Sequence, residues 1–254
     1  QYLNKAQQTG KLQSFEYSLE INSKIKYFEA RFNKMDQDRV LTVVRNETRH
    51  KLAEKKMSDN MQFYRQALLG IIESMGCLLE KHDSYTAAHQ QKVSKLSAAI
   101  ASEMGLNQEQ IEGLEIAAKV HDIGKIEIPA EILNKPGELS KLEIALIRLH
   151  PQGGNQILKN IDFPWPLAEI VLQHHEKVDG SGYPEGLKGQ EIMLEARILC
   201  VADVIEAMTS HRPYRPALGI EKALHEINEN RGKLYDCAVV DATLKLFNEK
   251  SYSL

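Results

Sequence analysis

Seven histidine and aspartate residues, set among segments with helical apolar periodicity, are the feature that most restricts how this chain can fold. Imidazole and carboxylate groups are ligands that suit divalent iron, manganese or zinc. One histidine on a helix is usually a structural residue, whereas seven candidates together favour a fold that gathers them around metal ions. The candidates are His89, His121, Asp122, His150, His174, His175 and Asp203.

The adjacent pair His121 and Asp122 can serve two metal ions at once, because a carboxylate has two oxygens and can bridge. Two divalent ions about 3.5–4 Å apart can clamp a phosphate group. The pattern therefore predicts chemistry on a phosphate ester. The histidines that lack this context are interpreted as ordinary surface or core residues: His50, His82, His211 and His225.

The composition is that of a globular protein, with 43% hydrophobic and 26% charged residues in 254 positions. The net charge of −3 does not indicate a surface for nucleic acid polymers or anionic membranes. Three separate cysteines fit a reducing compartment, so we expect a cytoplasmic protein. No run approaches the roughly 18 apolar residues of a membrane span. The first residue is Gln1 and not Met, so we expect a fragment or processed form, and an upstream membrane segment stays open.

Helical patterns dominate, and the sequence predicts a mainly α fold. Residues 83–254 predict an all-helical domain, in which Gly105 ends one helix and Asn107 and Ser140 each begin another. Further helices are predicted over 166–175, 193–210, 220–230 and 238–250.

Residues 50–82 predict one long linking helix without proline. Its apolar residues follow a seven-residue repeat, which is typical of a coiled coil and favours a homodimer. A helix packed on its own domain is the alternative. The repeat consists of Met57, Met61, Tyr64, Leu68, Ile71, Met75 and Leu78.

Residues 1–49 predict a short antiparallel β region. Alternating patterns indicate strands over 14–21, 25–32 and 39–44, with a turn at Asn22 and Ser23. The segment Val40 to Arg49 resembles the last strand and exit of a PAS sensor domain, although that family usually has Asp where Asn46 stands. A β-meander of another type is the alternative.

Two motifs carry a second resemblance. His121-Asp122-Ile123-Gly124-Lys125 has the core of the HD superfamily, and the segment from His174 to Pro184 looks like the HHExxDGxGYP signature of HD-GYP cyclic di-GMP phosphodiesterases. Similarity to that family runs from about residue 80 to about residue 248, with the motifs in the right order.

The HD-GYP resemblance implies an all-helical fold and a role for each matching residue. One metal ion would be held by His89, His121, Asp122 and Asp203, with Asp122 bridging to a second ion. The second would be held by His150, His174 and His175. Some family members have a carboxylate for a third ion where this chain has Tyr85, so we expect two ions, most simply iron or manganese.

The same resemblance implies residues for substrate. Lys125 would bind a phosphate oxygen or assist the leaving group, and the alternative is a lysine that only closes a helix end. Gly182, Tyr183 and Pro184 would form a tight loop at the guanine or its neighbouring backbone. Arg212 and Arg215 would grip phosphate, or would be a solvated basic helix end.

The reaction that the resemblance implies is metal-dependent hydrolysis of cyclic di-GMP to pGpG, with GMP as a further product, under control of an N-terminal sensor. A cyclic di-GMP receptor with weak turnover is one alternative. Another HD-type nucleotide phosphohydrolase and a purely structural signalling dimer are the others.

Overall fold

The computed structural model describes residues 2–36, 39–82, 86–210, 217–250 and 252. The chain forms two compact units, Gln1–Leu69 and Gly70–Leu254. Most of the described residues are helical, and the strands form one small antiparallel sheet, which confirms the predicted fold class. Within these ranges, no helix has both the length and the apolar character needed to cross a bilayer.

The N-terminal unit contains a three-stranded sheet of order β1-β2-β3, formed by β1 (Gln13–Ile21), β2 (Lys24–Lys34) and β3 (Val40–Asn46). Ile21 pairs with Lys24, so Asn22 and Ser23 alone make the first turn. Both turn residues have positive φ angles, 54° and 57°, which suit the twist of a two-residue hairpin. The three predicted strands are confirmed.

A helix that the sequence did not predict, α1 (Tyr2–Thr9), packs on this sheet. Ala6 is fully buried with Ala30 and Phe32, and the Tyr2 ring stacks on Phe15 with centroids 4.9 Å apart. The segment is short and mostly polar, so it shows too little apolar periodicity to be recognised. Its packing gives the sheet one covered face.

The predicted long helix is confirmed as α2 (Thr48–His82). Most members of the apolar repeat are exposed on it, including Met57, Met61 and Tyr64 at about two thirds of their maximum. Ile72 and Leu79 lie on another side of the helix and are buried in the second unit.

The helices and strands that the structure describes in the second unit are all helices, apart from two isolated β-bridges. Two short 3₁₀ helices, Ile123–Glu127 and Gly189–Glu191, interrupt its α-helices. The α-helices that follow α2 are α3 (Thr86–Glu103), α4 (Gln108–Val120), α5 (Ala130–Leu133), α6 (Lys141–Ile147), α7 (His150–Leu158), α8 (Leu167–Gln173), α9 (Leu194–Thr209), α10 (Ile220–Glu229) and α11 (Cys237–Glu249).

Helix α9 lies at the centre of this unit and packs against α3, α4, α8, α10 and α11. Its side chains are apolar on almost every side, as expected for a helix surrounded by others. Ile198, Leu199, Val201, Ala202 and Ile205 have no exposed surface. Asp203 and Glu206 are polar residues of this helix with little exposed side-chain surface.

The predicted helix boundaries hold where capping residues set them. Asn107 and Gln110 form a reciprocal capping box at α4, as do Ser140 and Glu143 at α6. Gly105 ends α3 with a φ of +80°. The sequence did not predict α7, which begins at His150 after α6 has ended and has Pro151 in its first turn.

Candidate metal centre

Five helices place the seven predicted ligand residues in one region of the second unit. His89 lies in α3, His121 and Asp122 follow the end of α4, and His150 begins α7. His174 and His175 follow the end of α8, and Asp203 lies in α9. All seven side chains are buried or half-buried. The structure thus brings together every residue of the predicted set.

Three of the imidazoles are oriented by the backbone of their own helix end. In each, Nδ1 lies within hydrogen-bonding distance of the carbonyl oxygen three residues earlier, so Nδ1 carries the hydrogen and Nε2 the lone pair. The pairs are His121 with Ala118 at 2.7 Å, His150 with Ile147 at 2.7 Å, and His174 with Val171 at 2.5 Å.

The consequence is clearest at His150 and His174, whose Nε2 atoms are 3.3 Å apart. Both nitrogens are acceptors if both Nδ1 atoms donate, so they cannot bond to each other. Burial lowers the pKa of His150 to about 4 and that of His174 to about 3, so both rings are neutral at pH 7. Two lone pairs that converge in a buried space fit a cation between them.

Three groups of donor atoms among the described residues lie close enough to hold an ion. Two of them share no member, namely His150 with His174 and His175, and His89 with His121 and Asp203. The third, His121 with Asp122 and His174, overlaps both. Within each group all donor atoms are within 4.8 Å of one another. The donor chemistry, neutral imidazole with carboxylate, suits a divalent metal ion.

Asp122 lies between the two groups. One carboxylate oxygen is 3.4 Å from Nε2 of His150, and the other is 3.5 Å from Nε2 of His121. Burial opposes ionisation of this carboxyl, but Lys125 and the surrounding imidazoles hold its pKa well below the usual range. An ionised carboxylate with one oxygen toward each group has the geometry of a bridge.

His89 has a carboxylate at each ring nitrogen. Nδ1 contacts Glu206, and Nε2 is 3.3 Å from Asp203. Burial lowers the pKa of His89, but the two carboxylates outweigh it and raise the value to about 9. Sequence reasoning missed Glu206, although its position three residues after Asp203 places it on the same side of α9.

Lys125 lies against the centre, just beyond the end of an α-helix. Helix α4 ends at Val120, and Lys125 belongs to the 3₁₀ helix Ile123–Glu127. Its Nζ is 2.8 Å from an oxygen of Asp122. The tighter turn still directs the lysine to the side of the aspartate.

The 3₁₀ helix approaches α7 so closely that only glycine fits at position 124. A Cβ atom there would lie 2.0 Å from the His150 carbonyl oxygen and 2.4 Å from the Gly154 nitrogen. This contact sets the distance between Asp122 and His150.

Hydrogen bonds to the Glu176 side chain hold the loop that follows His175. That carboxylate accepts hydrogen bonds from the backbone N–H groups of Glu185, Gly186 and Leu187. A Cβ at Gly182 would lie 2.4 Å from the Lys177 nitrogen, so the loop closes tightly on itself. Next to it, the Tyr183 ring packs on His175 with centroids 4.8 Å apart, so the loop extends the metal centre outward.

The remaining predictions fall on other positions. Tyr85, Arg212 and Arg215 lie outside the described residues, as does His211. Nε2 of His82, which was predicted to be an ordinary residue, is 2.7 Å from the carbonyl oxygen of Ile128, which is a structural hydrogen-bonding contact.

Comparison with known proteins places this region in a family. The sequence model of the HD domain family matches residues 73–239. A cyclic di-GMP phosphodiesterase of Thermotoga maritima is 42% identical over 200 residues, which are 78% of this chain and 54% of that protein. The cyclic di-GMP phosphodiesterase response regulator RpfG of Xanthomonas campestris pv. campestris is 42% identical over 169 residues, 66% of this chain and 45% of that protein.

This chain therefore spans about half the length of these curated relatives. A solved structure of a cyclic GMP-AMP specific phosphodiesterase of V. cholerae has a TM-score of 0.54 at 20% identity, covers 70% of this chain and 49% of its own, and shows a shared fold. The family match contains all seven residues of the centre, and the chain belongs to the HD domain family.

Proposed function

We propose that this chain is an HD-GYP-type phosphodiesterase that hydrolyses cyclic di-GMP to linear pGpG, with GMP as a further product. The observation that carries the proposal is the pair of buried donor groups with the Asp122 carboxylate between them. The names of the two curated relatives support cyclic di-GMP as the substrate. The HHExxDGxGYP segment supports the HD-GYP type.

Two metal ions per chain fit the donor set. His89, His121, Asp122 and Asp203 would hold one, and His150, His174 and His175 the other, with Asp122 shared. Iron and manganese suit these ligands. When bound, such ions stabilise charge on phosphate oxygens and lower the pKa of water toward neutrality.

The chain's own groups would then bind and orient the substrate. Lys125, beside Asp122, can donate a hydrogen bond to a phosphate oxygen or a proton to the leaving oxygen. Gly182, Tyr183 and Pro184 border the histidines and can contact a guanine or its sugar-phosphate backbone. Arg212 and Arg215 are still predicted to bind phosphate, and this prediction rests on the sequence alone.

The other regions would regulate this activity. We propose that residues 1–49 are the C-terminal part of a PAS-like sensor, that residues 50–82 link it to the catalytic domain 83–254, and that two copies pair through α2. The exposed apolar side chains of Met57, Met61 and Tyr64 support pairing. A cytoplasmic location stays a prediction from the cysteines.

The test replaces the proposed bridge. Asp122→Ala should lose metal and cyclic di-GMP turnover together, with turnover lower by roughly 10²–10³-fold or more, because both sites share this carboxylate. Asp162→Ala removes an exposed carboxylate of the same unit and is the matched control. Metal content is measured by elemental analysis of anaerobically purified protein, and products by chromatography.

The outcomes separate the alternatives. Full turnover by Asp122→Ala contradicts a two-metal mechanism, and a parent value near three ions per chain shows that another residue completes a third site. Tight binding of cyclic di-GMP without turnover identifies a receptor. A panel with cyclic GMP-AMP and mononucleotides identifies another substrate class.

A further inference from the structure

Arg148 is a cation beside the metal centre to which the mechanism gives no role. It ends α6 two residues before His150, and its side chain is exposed. Its Cζ atom lies 5.2 Å from the centroid of the Tyr183 ring. Among the described residues, no carboxylate forms an ion pair with it.

Tyr183 connects this cation to the centre. Its ring contacts both the guanidinium and the His175 ring, and the centroids of the two rings are 4.8 Å apart with their planes inclined by 31°. Arg148 is therefore one aromatic ring away from a predicted metal ligand.

The environment leaves the guanidinium ready to bind an anion. An aromatic face restrains a guanidinium by cation–π attraction but uses none of its hydrogen-bond donors. A carboxylate partner would occupy those donors, and Arg148 has no such partner among the described residues. The planar fork matches the two free oxygens of a phosphodiester.

We propose that Arg148 binds the phosphodiester of a cyclic dinucleotide that is not being hydrolysed. This inference rests on the proposed function. A cyclic dinucleotide has two phosphodiesters in one ring, so when one lies at the metal ions the other must lie to the side. Arg148 lies beside the metal centre, next to His175, and its contact with the Tyr183 ring holds it in that position.

The experiment compares a substrate with two phosphodiesters and one with a single phosphodiester. In the metal-loaded full chain, Arg148→Ala should raise KM for cyclic di-GMP about ten- to hundredfold, the range of a charge-assisted contact, and affect kcat much less. Hydrolysis of bis(p-nitrophenyl) phosphate should change by less than about threefold, because its one phosphate is bound at the metal ions. Arg148→Lys should fall between parent and Arg148→Ala, since it keeps the charge without the fork.

The matched control is Lys159→Ala, which removes an exposed cation from the end of the neighbouring helix α7 and should behave like the parent. The inference is overturned if KM for cyclic di-GMP does not change in Arg148→Ala, or if both substrates lose activity equally. A loss for cyclic di-GMP that is absent for cyclic di-AMP overturns it as well, because it indicates contact with the base.

Failure of the proposed function is distinguishable. A parent that cleaves bis(p-nitrophenyl) phosphate but not cyclic di-GMP contradicts the proposed substrate. Cyclic di-GMP is then tested as a competitive inhibitor of ester cleavage, and an unchanged inhibition constant in Arg148→Ala overturns the role of Arg148.

Discussion

At the scale of single residues, Glu206 determines how His89 is presented to the centre. Its carboxylate contacts Nδ1 of His89 and also accepts a hydrogen bond from Ser210. A carboxylate behind a metal-binding imidazole fixes the ring and makes it a stronger ligand. Glu206→Ala should therefore weaken metal binding about 10- to 100-fold.

The measurement is a manganese titration of metal-free protein, followed by calorimetry. Glu195→Ala, in the first turn of the same helix, is the control and should bind metal like the parent. Unchanged metal affinity in Glu206→Ala would mean that Glu206 contributes only to packing between α9 and α3.

The residues that the sequence revealed and those it hid differ in a physical way. His121 with Asp122 and His174 with His175 stand out because adjacent polar ligands interrupt apolar helices. Glu206 is one carboxylate in a helix and has no such signal. Arg148 meets Tyr183 only through the fold of the loop after His175, which sequence spacing does not specify.

At the scale of elements, the contact between the 3₁₀ helix Ile123–Glu127 and α7 sets the width of the centre. Gly124→Ala would force a Cβ against the backbone of His150 and Gly154, so the two elements must separate. We expect a loss of about 1–3 kcal/mol of stability and a matching loss of metal affinity, because Asp122 and His150 move apart.

Gly70→Ala is the control, since Gly70 is helical and nothing lies within 4 Å of the added carbon. It should raise stability by up to about 1 kcal/mol. Denaturant unfolding and metal titration check both variants. Unchanged stability and metal affinity in Gly124→Ala would show that the 3₁₀ helix and α7 can move apart without loss of either.

Element boundaries were predictable where local chemistry sets them. Asn107 and Ser140 cap helices because their side chains accept the free backbone N–H groups, and Gly105 adopts a left-handed conformation. Helix α1 was not predictable, because its stability comes from packing on the sheet through Ala6 and Tyr2. The division into three domains stays a prediction.

The exposed stripe on α2 leads to a prediction about association. Leu68 is half-buried within the apolar repeat, and Leu68→Asp would place a charge in the proposed seam. The variant should shift the protein from dimer toward monomer in analytical ultracentrifugation. Gln66→Asp, exposed and outside the repeat, should not, and a Leu68→Asp protein of unchanged mass would assign the stripe to packing within one chain.

At the scale of the whole molecule, the centre couples stability to pH. His150 and His174 have pKa values of about 4 and 3 in the metal-free fold, below their unfolded value of 6.5. The unfolded chain therefore binds more protons than the folded chain below pH 6.5. As the pH decreases below 6.5, the free energy of unfolding decreases by about 1.4 kcal/mol per pH unit for each imidazole. His89 acts oppositely, because its raised pKa gives stability below pH 6.5 that is lost as the pH rises through about 9.

The metal-free protein should consequently be most stable near pH 6.5, and it should unfold at lower temperature as the pH falls from 6.5 toward 4.5 or rises from 6.5 toward 9. The lowered pKa values of Asp122 and Asp203 do not contribute in that window, since the unfolded carboxyl titrates near 3.8. His174→Gln should flatten the acid limb by about 1.4 kcal/mol per pH unit, and exposed His225→Gln should leave it unchanged. Calorimetry in the presence of a chelator measures the slopes. If stability decreases equally steeply below pH 6.5 in His174→Gln and in the parent, burial does not hold the His174 imidazole neutral.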